Sequence, residues 1–217
     1  MNKALVQVLG AVAYGELKAY EGAKADAERA TDPAVRRRFR KVAAEELRHH
    51  KGFVSRLQAM GADPERAMRP YKAALDRYHG RRPADPVTEA VYGYLGEGVA
   101  DDLLRWLRTV VDDDTARFID TVIEDEVEHE AAAAAELRAS LEADPAARAR
   151  ATRAARSMLL HMGRSGGASA LPMTAFLRVG HLPGLVQAIV GGHQRRMRAV
   201  GLPPFGIPGT QLLPAVA

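Results

Sequence analysis

Two short phrases carry acids and a histidine at a spacing that could do chemistry. Residues 45–49 read Glu-Glu-Leu-Arg-His, and residues 125–129 read Asp-Glu-Val-Glu-His. Both are acid-Glu-x-x-His, and neither contains proline or glycine. On a helix, positions i and i+3 share a face. Glu46 and His49 can therefore point together, and so can Glu126 and His129. A single Glu-x-x-His is ordinarily a solvated helix face. Here each copy is preceded by a Gly-Glu-x-x-Ala, at Gly15-Glu16…Ala19 and Gly96-Glu97…Ala100. The separations from Glu16 to Glu46 and from Glu97 to Glu126 are 30 and 29 residues. A helix pair occurs twice, as in a duplicated hairpin.

Antiparallel helices joined by a short turn would bring Glu16 level with Glu46, and Glu97 level with Glu126. Together the pairs assemble four carboxylates and two imidazoles: Glu16, Glu46, His49, Glu97, Glu126 and His129. Burying four carboxylates without compensation is prohibitively costly. Two divalent cations offset that charge, and oxygen and imidazole donors suit iron or manganese. A metal-bound imidazole usually donates its other N–H to a carboxylate. The acids preceding the two ligand glutamates are placed for this, Asp125 holding His49 and Glu45 holding His129. Tyr20 and Asp101 fall one turn after Glu16 and Glu97 on the same faces, as near-site residues. Tyr20 reads first as a packed core tyrosine and second as a redox-active or hydrogen-bonding neighbour, and Asp101 could also be an arginine partner. Tyr14, Phe53 and Tyr94 could line a pocket, although aromatics at helical spacing are ordinarily core. Glu124, Glu128 and Glu130 fall off the ligand face, and His50 is expected on the outer face.

The elements that must position these groups are helical almost throughout. The pattern predicts helices over 2–30, 33–60, about 86–111, 112–143 and 144–163, with a short helix or two over 63–79. Asp-Pro pairs at Asp32-Pro33 and Asp144-Pro145 are start signals, an N-cap followed by a proline at the first helical position. Alternating β-branched runs bounded by hairpin turns are absent. Four long amphipathic segments indicate an all-α helix bundle, and the long connection from Gly61 to Asp85 permits a crossover. Glycine and proline accumulate after Gly163, where a loop, one short helix over 184–200 and an irregular tail are expected. The expected organisation is a bundle over 1–165 and a Gly/Pro-rich extension over 166–217 packed on the same domain.

The chain has 217 residues, 47% hydrophobic and 27% charged, enough for a full core. It has no cysteine, which removes disulfides, zinc–thiolate sites, iron–sulfur clusters and thiol chemistry. No apolar run is long enough to span a membrane. The N-terminal stretch carries Glu16 and reads on as amphipathic helix rather than signal peptide, so the expected location is cytoplasmic. The net charge of +4 permits a phosphorylated or RNA partner without demanding one. The basic runs at Arg36–Lys41, Arg81-Arg82 and His193–Arg198 read first as solvated faces and second as phosphate contacts.

With these residues in view, the sequence resembles the ferritin-like superfamily of carboxylate-bridged di-iron proteins. The phrases "AYGELKAYE", "DPERAMRPY" and "YGYLGEGVADDLLR" are similar to the MiaE-like tRNA hydroxylase family. The resemblance implies a ferritin-like four-helix bundle with a long crossover and additional C-terminal helices. It also implies two iron ions, manganese being the alternative, and O2 as co-substrate. The implied activity is a monooxygenase-type hydroxylation of a modified tRNA base or a small metabolite. Such a reaction needs two further electrons, and therefore a separate reductase as partner. A ferritin-like protein that oxidises iron or scavenges peroxide is the alternative, and a metal-stabilised bundle without catalysis a third. A homodimer is the base-rate expectation for a bundle of this size.

Overall fold

The computed structural model describes residues 2–80, 85–167, 170–180 and 182–204. Among the described residues all regular structure is helical, in eight helices: α1 Lys3–Arg29, α2 Pro33–Ala59, α3 Pro64–His79, α4 Pro86–Leu107, α5 Asp113–Ala143, α6 Pro145–Gly167, α7 Ala170–Val179 and α8 Leu182–Ala199. Four of the helix starts follow one rule. Asp32, Asp63, Asp85 and Asp144 each precede a proline, and each accepts a backbone N–H of the first turn, from Ala34 (2.6 Å), Glu65 (3.0 Å), Val87 (3.1 Å) and Ala146 (2.8 Å). Asp112 caps α5 through the N–H of Thr115 at 3.0 Å. Each such cap contributes about 1 kcal/mol. Helix α2 is closed by Gly61 at φ +70°, where the Gly61 and Ala62 N–H groups return to Gln58 and Leu57 carbonyls.

The contacts divide the chain into two compact units. One comprises residues 1–81, 107–125 and 164–182. In it α1 packs along α2 and also against α3 and α7. Its core is built from Val8, Leu9 and Val12 of α1, Phe53 and Leu57 of α2, Met68 of α3, and Ile119 and Val122 of α5. Gly10 permits the close approach of α1 to α3, since a Cβ there would fall 2.4 Å from the Ala67 carbonyl oxygen. Phe118 meets Phe53 edge-on, with centroids 5.0 Å apart.

The second unit comprises residues 82–106, 126–163 and 183–217. Its core draws on Val91, Leu95 and Leu104 of α4, Leu137 and Leu141 of α5, an alanine row with Met158 on α6, and Leu185 and Met197 of α8.

The helix or two expected over 63–79 is the single helix α3, Pro64–His79, with Pro70 inside it. Two departures from the sequence reading stand out. The expected loop after Gly163 is largely helical: α6 continues to Gly167 and α7 covers Ala170–Val179. The reason is tertiary. Ala175 is buried, Phe176 meets Tyr71 edge-on, and Pro172 falls in the first turn, where a missing N–H costs nothing. Second, α4 ends at Leu107 rather than Val111, in a turn closed by Val110 N–H on the Leu107 carbonyl. The expected loop at 81–84 and the tail beyond Pro204 lie outside the described residues. Among the described residues no helix is long and apolar enough to cross a membrane.

Candidate metal centre

In the first unit, Glu16 projects from α1, and Glu46 and His49 from successive turns of α2. They are 7%, 5% and 1% exposed, and each offers a donor atom within 4.8 Å of the others. Helix α5 supplies a fourth group. Asp125 Oδ2 lies 2.9 Å from His49 Nε2 and also accepts from Arg48. Burial opposes ionisation of Asp125, but the His49 hydrogen bond and the Arg48 charge hold its carboxyl below the ordinary value. An ionised carboxylate only accepts, so Nε2 of His49 carries the proton. In the neutral ring, Nδ1 then presents a lone pair to Glu16 Oε2 at 3.4 Å and Glu46 Oε2 at 3.5 Å. Three electron-rich atoms converge on one point.

These spacings fit an ion. Donors about 2.1 Å from a shared ion lie about 3.0–3.4 Å from one another at angles between right and tetrahedral. A proton on Nδ1 would satisfy part of the arrangement, whereas a divalent cation satisfies all three donors. The donor set of two carboxylates and an imidazole, with a carboxylate behind the imidazole, is that of an iron, manganese or zinc site.

The second unit holds the corresponding residues of the repeat. His129 Nδ1 lies 3.3 Å from Glu126 Oε2 on α5, the same atom pair as in Glu46 and His49. Asp101 is buried on α4, and its pKa is pushed up to about 9 by burial and then by the charges of Glu126 and Glu130, with Glu97 adding and Arg196 opposing. Negative charge is therefore in excess here, which a cation would relieve. Glu97 itself is exposed. Glu45 is buried beside Lys41, whose Nζ is 3.7 Å from its carboxylate. Tyr20 is half-buried in a groove between α1 and α2.

A buried ion network beside this half was not anticipated. Arg196 of α8 and Asp102 of α4 are each 1% exposed and paired, and Arg196 Nη1 reaches Glu130 Oε2 at 3.1 Å. Two glycines make the room. A Cβ on Gly98 would fall 2.1 Å from Arg196 Nε, and one on Gly192 would fall 2.0 Å from Asp102 Oδ1. The run at His193–Arg198 is thus not simply a solvated face, and Glu130 is half-buried rather than exposed. Glu124 and Glu128 are exposed, as expected. His50 is half-buried instead of outward, its Nδ1 2.7 Å from the Ala13 carbonyl oxygen. Tyr14, Phe53 and Tyr94 are core residues: Tyr14 donates to Asp76 at 2.7 Å and Tyr94 to the Arg196 carbonyl at 3.3 Å.

Residues 1–164 match the family described as "Ferritin-like domain, actinomycetes". No protein of curated function matches the chain. Among solved structures, "Protein 19 with aldehyde deformylating oxidase activity from Synechococcus" is similar, with a TM-score of 0.74 and 20% identity over 94% of this chain and 92% of that one. At that identity the likeness is one of fold.

Proposed function

Because the chain belongs to the actinomycete ferritin-like domain family, we propose that it is a non-haem di-iron oxidoreductase that uses O2 to oxidise an organic substrate. The observation that carries this reading is the buried trio of Glu16, Glu46 and His49, with the imidazole oriented by Asp125 so that Nδ1 faces two carboxylate oxygens. The ligand set of the proposal adds Glu97, Glu126 and His129. What supports joining the two sets is the repeat in the sequence, together with the shared Nδ1–Oε2 geometry of the two Glu-x-x-His pairs. Glu97 is the exposed member of this set. In this reading Glu45 orients His129 as Asp125 orients His49.

A di-iron centre held by these residues would, when reduced, supply two electrons to O2. The protein's own part is to hold the donors in place and keep bulk water out. Burial of Glu16, Glu46 and His49 does both, since charges in a dry site act far more strongly than in water. The absence of cysteine leaves no thiolate-held cluster in this chain to deliver the second electron pair, so a reductase partner belongs to the proposal. The fold houses an oxidase activity in the Synechococcus protein, and the MiaE-like phrases extend the substrate range to a modified tRNA base as well as a small metabolite.

Metal analysis of protein produced with iron is the direct test. About two ions per chain are expected, falling in Glu46→Ala and His129→Ala variants; unchanged metal content would sink the ligand assignment. Mass spectrometry of tRNA nucleosides and small metabolites, with and without the gene, separates the substrates. An unchanged nucleoside profile removes the tRNA reading. Iron oxidation that needs no organic substrate would favour an iron-handling protein instead.

A further inference from the structure

A groove of about 520 Å³ lies between α1 and α2, all within the first unit. Its size is that of a small-molecule site. One end is basic: Lys24, Arg36 and Arg40 line it, against the single carboxylate of Glu28. The floor is apolar, formed by Ala27, Ala43, Ala44 and Leu47. Arg36 is held in place, since its Nε and Nη2 donate to the Ala30 carbonyl at 3.1 and 2.8 Å, which leaves Nη1 for another partner. Three cationic side chains gathered in one groove repel one another unless an anion lies among them. Two other members of the basic run are engaged elsewhere: Arg38 sits over the Phe39 ring and Lys41 pairs with Glu45.

On α1, Tyr20 and Lys24 of the groove fall one and two turns after Glu16, and on α2 Ala43 of the groove falls one turn before Glu46. At 1.5 Å per residue, Lys24 stands about 12 Å along the helix from Glu16, and Arg36 about 15 Å from Glu46.

We propose that this groove binds an organic anion, a carboxylate or a phosphate monoester, whose charged end is held by Lys24, Arg36 and Arg40 and whose apolar body lies along Ala43 and Leu47 toward Glu16 and Glu46. The placement of the substrate's far end as the reacting end rests on the di-iron oxidase reading; the binding site does not. An RNA partner is the competing occupant. A groove of this volume with an apolar floor favours the small molecule, because nucleic acid calls for an extended basic surface with open stacking aromatics.

The test uses the full-length chain, with metal and after chelation. Octanoate, octyl phosphate and 1-octanol are titrated by calorimetry, and tRNA is tested as a competitor. Both anions are expected to bind, with octanol at least tenfold weaker. The Lys24→Glu/Arg40→Glu double variant changes two exposed positions. It should keep its circular dichroism spectrum and metal content, keep its octanol affinity, and lose at least tenfold in affinity for both anions. Binding of only one anion identifies the headgroup and supports the site. Equal affinity for octanol and octanoate overturns the proposal, as does octanoate binding that survives the double charge reversal. No anion binding, with tRNA binding that the double variant abolishes, overturns it in favour of RNA. Metal content is read separately: anion binding in a chain that takes up no metal would refute the di-iron reading and leave the anion site standing.

Discussion

His49 Nε2 donates to Asp125 Oδ2 across 2.9 Å, between α2 and α5. That bond turns the ring's other nitrogen toward Glu16 and Glu46, at 3.4 and 3.5 Å. Removing the acceptor should therefore weaken metal binding without removing a ligand. Asp125→Ala is expected to lower affinity for the divalent ion by roughly 10- to 100-fold. Asp125→Asn, which can still accept from Nε2 but carries no charge, should fall between the variant and the parent. Competition against a chromophoric chelator measures both. Wild-type affinity in Asp125→Ala would remove Asp125 from the site.

Crowded carboxylates give metal removal a sign that can be checked. Glu16 and Glu46 are buried and converge on His49 Nδ1, which favours a cation over empty space. Chelation should lower the Tm of the parent, by the linkage between binding and folding. In Glu46→Ala the metal-dependent part of that Tm should largely vanish, while the chelated variant should melt no lower than the chelated parent. Differential scanning calorimetry of both proteins, with and without chelator, reads the crossing. A chelated variant much less stable than the chelated parent would mean that Glu46 serves packing.

Arg196 and Asp102 form a buried pair, each 1% exposed. Arg196→Met leaves the Asp102 carboxylate with Arg195 alone, whose Nη2 is 3.5 Å away, and should cost about 3 kcal/mol in urea unfolding. The double variant Arg196→Met/Asp102→Leu should recover most of that loss. Gly98→Ala should also destabilise, because its Cβ meets the Arg196 guanidinium at 2.1 Å from Nε. Additive losses in the double variant would show that the two residues act independently.

His193 is 2% exposed on α8, and its pKa is lowered from 6.5 to about 4 by burial first and the Arg196 charge second. The native ring stays neutral while the unfolded chain takes up a proton below pH 6.5. More protons on the unfolded state mean that stability falls as pH falls, from about 6.5 down to about 4. The contribution is whole above that window and diminished by about 2 kcal/mol at pH 5. Urea midpoints at pH 7.5 and 5 should differ less in His193→Gln than in the parent. An equal difference in both would assign the pH response to other groups.

What could be read from the chain alone was whatever rests on neighbours in sequence. Asp32-Pro33 and Asp144-Pro145 mark helix starts because cap and first turn are two or three residues apart. Glu46 with His49, and Glu126 with His129, share a face because i and i+3 do so on any helix. The repeat of a glutamate ahead of each pair then suggested the ligand set, and the all-helical architecture followed from period and composition. Tertiary structure decided the contacts that join distant segments. Helix α7 exists where glycine and proline suggested a loop, because burial of Ala175 and the Tyr71–Phe176 contact outweigh local preference. His50 turns inward to the Ala13 carbonyl, 37 residues away. Arg36 and Arg40 belong to a groove and Arg196 to a buried pair with Asp102, 94 residues away, although all three stand in runs that look solvated. A charge carries no local sign of whether it will meet water or a partner, because the partner's position is set by the packing of the helices that carry it.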